Sequence, residues 1–236
     1  MTANNEEENR LHLQGYELIC GCDESGMGCF AGDVYIGLVI FPIGIDYKTL
    51  LPGLNDSKQK SIQQRDVLYD QIHKYALDYT TATASVEEID RLNIYWARFL
   101  AVVRGLNKLK IYPDFIIIDG NKTVPSIEEL SNKIKIGFKD NQEKMNLLLS
   151  EVRQVVYSWK QQAIIKGDGK SISIAAGSIL AKVERDRHID GLAKLVHPDY
   201  NWTNNKSYYC EKQIAAIKKY GKTVYHREKY VRKYLL

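Results

Sequence analysis

Four acids stand where short apolar runs end. Asp23-Glu24 follow Ile19-Cys20-Gly21-Cys22, Asp119 follows Phe115-Ile116-Ile117-Ile118, and Asp168 comes shortly after Ala163-Ile164-Ile165. Ionised carboxylates are costly inside a sheet, but strand ends that open on one crevice suit them. If the three strands are neighbours, four carboxylates meet, and without a counter-ion some of them hold protons. A hard divalent cation resolves this, with water and a substrate phosphate completing its shell. Two such ions could bind the attacking water and the leaving oxygen of a phosphodiester. Each acid alone also has a plain structural reading. Asp-Gly after a strand is a common turn, and Asp-Glu before Ser-Gly can be a turn or a helix cap. The joint pattern is what points to a metal-dependent nuclease.

The elements that must carry these acids can be read from periodicity. Residues 16–22 and 34–41 are two apolar runs joined by the turn Asp23-Glu24-Ser25-Gly26-Met27-Gly28, which suggests a hairpin. Ser61-x-x-Gln64, Ser85-x-x-Glu88 and Ser126-x-x-Glu129 are capping-box patterns, each opening a helix. Residues 78–85 alternate in part and read as a strand. Trp96, Phe99, Leu100, Val103 and Leu106 fall at helical spacing, and 115–118 fits a buried central strand. From Asp140, Met145, Leu148, Leu149, Val152, Val155, Val156 and Trp159 form one continuous apolar face, predicting a helix over 140–160. A long slim helix is expected from about Ile174 to Leu195, and a last one from Glu211 to Tyr220, stopped by Gly221. Strands that come first as a hairpin and then singly between helices argue for one α/β domain on a mixed sheet flanked by helices. Residues 1–15 are expected to be a disordered tail, 16–205 the main domain with a helical insertion at about 124–161, and 206–236 a helical segment packed on it.

The whole chain has 236 residues, enough for one substantial core. No apolar run is long enough to cross a bilayer, and the start is polar and acidic, unlike a secretory signal. A cytoplasmic location is therefore expected. Cys20, Cys22, Cys29 and Cys210 include no CxxC pair, so reduced and buried thiols are expected rather than a zinc site. Net charge is only +4, yet from Lys206 to Leu236 nine Lys or Arg face two Glu, among six tyrosines. Such a segment can neutralise phosphates and stack on bases or sugars; it can equally be a solvated basic helix with tyrosines half in the core.

Taken in order, these blocks resemble the ribonuclease HII family over about residues 16–230. Gly21-Cys22-Asp23-Glu24-Ser25-Gly26-Met27-Gly28 is similar to its opening DEAGRG block, Asn55-Asp56-Ser57-Lys58 to its NDSK block, and Ile118-Asp119-Gly120-Asn121 to its iDGN strand end. Lys166-Gly167-Asp168 with Ile174-Ala175-Ala176-Gly177-Ser178-Ile179-Leu180-Ala181-Lys182-Val183 is similar to KGD…IAAASILAKV, and Arg185-Asp186, Tyr208 and His226-Arg227 extend the match. The resemblance implies a ribonuclease-H-like fold and cleavage of the RNA strand of RNA/DNA hybrids. It also implies incision 5′ of single ribonucleotides in duplex DNA, leaving 5′-phosphate and 3′-hydroxyl ends. It implies Mg2+ or Mn2+, as a two-metal site, on Asp23, Glu24, Asp119 and Asp168. Gly26, Met27 and Gly28 then match the loop that senses the 2′-hydroxyl, and Tyr208 the ring that stacks on the neighbouring sugar. Lys58, Lys182 and Arg227 are expected at phosphates, and Asp186, on a helix, as support behind the metal ligands. The expected partners are nucleic acids alone, with the chain a monomer.

The chain departs from the family pattern in several places. Met27 stands where the family has arginine, Ser207 where it has glycine and Gln213 where it has histidine, and the span from Asp119 to Asp168 is longer than usual. Met27 leaves open a broader hybrid cleavage like that of the sister family, ribonuclease HIII, which also lacks that arginine. A nucleic-acid-binding module with a degenerate site, or another nuclease chemistry on the same scaffold, are the remaining alternatives.

Overall fold

The order of strands explains why acids distant in sequence can share one edge. In the computed structural model, which describes residues 3–54, 57, 60–155 and 159–235, five strands form one mixed sheet among the described residues. They are β1 (Ile19–Ser25), β2 (Val34–Ile40), β3 (Asp78–Ala84), β4 (Phe115–Asp119) and β5 (Lys160–Ile164), in the spatial order β3-β2-β1-β4-β5. β1, β2 and β3 form an antiparallel meander, whereas β4 and β5 run parallel to β1. The expected hairpin and mixed sheet are both present.

The helices are α1 (Glu6–His12), α2 (Tyr47–Leu50), α3 (Ile62–Tyr75), α4 (Val86–Leu92), α5 (Ile94–Lys108), α6 (Ile127–Gly137), α7 (Gln142–Gln154), α8 (Ile172–Ala193), α9 (Trp202–Asn205), α10 (Glu211–Tyr220) and α11 (Glu228–Val231). All three capping boxes form, at Ser61, Ser85 and Ser126, with both reciprocal hydrogen bonds in each. The predicted helix through Trp96 is α5. Asn93 at φ 67° breaks it from α4, and its side chain caps the new helix.

On one face of the sheet, α5 packs its Phe99, Leu100, Val103 and Leu106 against Ile36, Leu38 and Ile116. On the other face α8 lies against β1 and β2 at backbone distance. A Cβ on Gly37 would sit 2.2 Å from the Gly177 carbonyl oxygen, and one on Gly177 would sit 2.7 Å from the Gly37 oxygen. Nothing but glycine fits on either side of that seam, which is why the long helix reads as slim in sequence. α9 to α11 and the preceding loop bury Trp202, Ile217 and Val231 with Phe30 and Ile189, so the basic tail is held by a core of its own.

Three expectations change. The span 1–15 is not a featureless tail: residues 6–12 form α1, with Glu6 to Glu8 in its first turn, Arg10 and His12 in its last, and Leu11 in the core. Acids at the start and bases at the end suit the helix dipole, and buried leucine supplies the anchor. The 140–160 helix is shorter: α7 ends at Gln154, Val155 turns extended, and Trp159 stands just ahead of β5, because the chain must straighten into that strand. Val156 lies outside the described residues. Leu148, Val152, Val155 and Trp159 all enter the main core, so this layer covers the sheet. Lastly, α8 starts and stops two residues earlier than its periodicity suggests.

Candidate active site

β1 and β4 are parallel neighbours with Cys22 beside Ile118, so the next residues along, Asp23 and Asp119, project from the same edge. Asp119 in turn pairs with Ile164, the last residue of β5. Three apolar runs therefore end together, as the crevice argument requires.

Asp23 is only 5% exposed. Its carboxylate accepts the Glu24 backbone N–H at 2.7 Å and a hydrogen bond from the Ser178 side chain on α8. Burial first, then the charges of Glu24 and Asp119, push its carboxyl well above the usual carboxylate range, and the two hydrogen bonds oppose that shift without cancelling it. Glu24 has the guanidinium of Arg98 at 3.4 Å, which itself rests 4.5 Å from the Phe99 ring centre. Asp119 Oδ1 accepts the Gly167 N–H at 2.7 Å, fastening the end of β4 to the turn Gly167–Gly169 that carries Asp168.

Among the described residues no three His, Cys, Asp or Glu side chains close around one point as a ready metal cage. The donors nonetheless fit a hard divalent cation. They are all oxygen, and Asp23 resists ionising beside Glu24 and Asp119, a strain that a cation would relieve.

The turn after Glu24 is held from within. Gly26 has φ +98°, and a Cβ there would meet Arg185 Nε at 2.6 Å, so only glycine fits; Gly28 meets nothing within 4 Å. The Met27 side chain packs on the main core, and its carbonyl accepts the Tyr230 hydroxyl at 3.0 Å. Arg227 is not at a phosphate position. It is wholly buried and donates to the carbonyls of Gly26 at 2.7 Å, Met27 at 3.2 Å, Gly32 at 2.9 Å and Asp33 at 3.2 Å. A guanidinium whose forked donors are spent on backbone oxygens holds a loop rather than a ligand.

Tyr208 joins this turn to the far wall. Its hydroxyl hydrogen-bonds Ser25 and Cys29, and burial above all pushes it up to about 12. Arg185 and Lys182 lie 4.9 Å and 5.2 Å from its ring centre. Arg65, Lys182, Asp186, Lys206 and Tyr208 line a cleft of about 440 Å³. Asp186 belongs to that cleft: it takes Lys182 at 2.9 Å, Arg185 at 3.3 Å and Arg65 at 3.6 Å. Lys58 lies outside the described residues. The two departures near Tyr208 are both used. Ser207, at φ +61°, donates to the Ala31 carbonyl at 2.7 Å and accepts from Arg185 at 2.8 Å. Gln213 accepts the Trp202 indole N–H at 2.6 Å and donates to the Tyr208 carbonyl at 2.7 Å.

Sequence reasoning assigned no role to Ser178, Arg98 or Arg185. A signal existed for Arg98, an arginine inside the otherwise apolar helical run Trp96-Ala97-Arg98-Phe99-Leu100, a position that implies a buried partner; Arg185 stands among Glu184, Asp186 and Arg187, where nothing sets it apart from a solvated helix face. Cys20, Cys22 and Cys29 are buried free thiols.

Comparison with known proteins places this geometry. A family model described as Ribonuclease HII matches residues 20–233. A ribonuclease HII of Phocaeicola vulgatus is 40% identical over 207 residues, covering 88% of this chain and 86% of that protein. One from Caldicellulosiruptor bescii is 35% identical over 230 residues, covering 98% and 94%. Among solved structures, ribonuclease H2 from Pyrococcus horikoshii superposes with a TM-score of 0.64 at 25% identity, covering 92% of this chain and 96% of that one. The Bst ribonuclease HIII solved with Mn2+ gives a TM-score of 0.65 over 95% and 71% at 17% identity, a likeness of fold alone.

Proposed function

This chain belongs to the ribonuclease HII family, and on that premise we propose that it hydrolyses the RNA strand of RNA/DNA hybrids and incises 5′ of ribonucleotides embedded in duplex DNA. The observation that carries the reading is the strand-end cluster itself, with Asp23 and Asp119 on adjacent parallel strands and the Asp168 turn fastened to Asp119.

Asp23, Glu24, Asp119 and Asp168 would hold Mg2+ or Mn2+, singly or as a pair. Such an ion supplies Lewis acidity and positive charge to the scissile phosphodiester. The protein's own groups do the rest. Ser178 and the Glu24 amide orient the Asp23 carboxylate, and Arg98 steadies Glu24. The Gly26-Met27-Gly28 backbone, braced by Arg227, meets the ribose edge, where the 2′-hydroxyl distinguishes RNA from DNA. Tyr208 offers a ring for stacking beside the site, and Lys182 with Lys206 supplies positive charge to the backbone in the adjoining cleft.

Met27 favours a second reading, hybrid cleavage with relaxed junction preference, because a methionine offers neither hydrogen bond nor charge where the family has arginine. Two labelled duplexes, one with a single ribonucleotide and one a uniform hybrid, separate the cases, with Asp119→Asn as control. Mg2+- or Mn2+-dependent incision 5′ of the lone ribonucleotide supports the first reading, and cutting of the hybrid alone supports the second. Cutting of neither would leave a nucleic-acid-binding module. The described residues contain no helix long and apolar enough to cross a membrane.

A further inference from the structure

The arm ahead of β1 grips the chain just past Asp168. Asn4 donates its N–H to the Lys170 carbonyl at 3.2 Å and accepts the Ile172 N–H at 3.1 Å. Glu8, 7% exposed, accepts three hydrogen bonds on one carboxylate oxygen, from Ser171 Oγ at 2.6 Å, Ser173 Oγ at 2.5 Å and the Ser173 N–H at 3.0 Å. Apolar contacts reinforce the grip on both sides, Ala3 clustering with Ile172, and Leu11 with Ile164 and Ile174. From Ser171 the chain of bonds continues inward. The Ser171 N–H donates to the Gly167 carbonyl at 2.8 Å, closing the turn around Asp168, and the Gly167 N–H reaches Asp119 at 2.7 Å.

We propose that Glu8 is a positioning residue, which fixes the Asp168 turn and through it the spacing of Asp168 from Asp119. The inference rests on reading those two acids as metal ligands. Capping alone does not account for Glu8, because Ser171 already caps α8 by accepting the Ile174 N–H at 3.1 Å. A buried carboxylate is an expensive way to hold two hydroxyls, and its second oxygen has no hydrogen-bond partner. Its three donors sit at the first turn of α8, where an acidic group is favoured, and bonds to a carboxylate are roughly twice as strong as neutral ones. What that strength secures is the one segment that leads directly out of the Asp168 turn.

The test compares the full chain with Glu8→Ala, Glu8→Gln and, on the exposed face of the same helix, Asn9→Ala. Amide exchange is followed on peptides spanning 167–171, and Mn2+ affinity by calorimetry without nucleic acid. Partners behind metal ligands change metal affinity by about 10–100-fold. Glu8→Ala is expected to weaken Mn2+ at least about tenfold and to speed exchange across 167–171, with β2 and β3 peptides unchanged. It should lower kcat in proportion while leaving KM for the duplex alone. Glu8→Gln, which keeps an acceptor but no charge, should lose about threefold, and Asn9→Ala nothing. Wild-type exchange and Mn2+ affinity in Glu8→Ala would overturn the proposal, as would faster exchange everywhere at once. If Glu8→Ala fails to fold, Glu8→Gln decides by the same two readouts. Wild-type protein that cuts neither duplex would defeat the proposed function, yet exchange and Mn2+ affinity would still decide the role of Glu8.

Discussion

Arg227 reaches the Gly26 carbonyl at 2.7 Å across 201 positions of sequence, so the last part of the chain shapes the turn beside the first catalytic candidates. Replacing it with methionine removes a donor from four buried carbonyls, of which Met27 keeps the Tyr230 hydroxyl and Gly26 the Cys29 N–H, while those of Gly32 and Asp33 lose their side-chain donor. Each orphaned group costs about 1–3 kcal/mol, so Arg227→Met should cost roughly 3 kcal/mol or more in urea unfolding. Lysine should not rescue it, since a point charge cannot fork to Gly26, Gly32 and Asp33 together.

Asp23 titrates against the fold. Its carboxyl is raised by burial and by Glu24 and Asp119, so above the ordinary carboxylate range the native state holds a proton that the unfolded chain releases. Metal-free protein should therefore lose stability as pH rises through that window. Asp23→Asn should raise the Tm of the metal-free protein by at least about 2–4 °C, the shift that ~1 kcal/mol produces at this size, while removing activity. The same proton competes with the cation, so Mn2+ affinity should weaken on acidification. A lower Tm in the variant would contradict the electrostatic account.

Tyr208 separates ring from hydroxyl. Stacking on an aromatic ring is worth about 1–3 kcal/mol, so Tyr208→Ala should raise KM for the duplex by about 10–100-fold. Tyr208→Phe keeps the ring and loses the bonds to Ser25 and Cys29, and should retain most affinity while blunting preference for the single-ribonucleotide duplex. Steady-state kinetics on both duplexes check this.

His226 sets the acid limit. Burial brings it from 6.5 down to about 4, and it lies between Tyr200 and Trp202, with centroids at 5.1 Å and 5.2 Å. Between those values the unfolded chain binds a proton that the native state refuses, so stability falls as pH drops from about 6.5 toward 4. The full swing is roughly 3 kcal/mol. His226→Phe keeps the ring contacts and should flatten that limb of a Tm–pH curve.

How much of this was legible in advance depended on how local the cause was. Ser61, Ser85 and Ser126 each carry their partner three residues away, and the helix starts they mark are where the sequence puts them. The acids at 23, 24 and 119 were legible because an apolar run stops at each, and a buried strand must surface somewhere. The helix through Trp159 was overextended because its apolar face continues past Gln154 in a strand-leading segment, where burial is wanted but helical turns are not. α1 was missed because an acidic, polar segment looks solvated until Ser171 and Ser173 are known to meet Glu8. Arg227 was assigned to phosphate because nothing near it in sequence shows the carbonyls it serves.

The glycine seam has a consequence for synthesis of the chain. β2, with Gly37, is made long before α8, with Gly177, yet each needs the other's bare backbone to close that face of the sheet. Until the later helix emerges, the cluster around Val39 lacks Ile172, Ala175, Ala176, Ile179 and Leu180, and only earlier residues such as Tyr47, Leu51, Leu68 and Ile72 stand on that face. A chain that ends before α8 is therefore expected to expose part of this apolar face rather than to fold as a smaller unit.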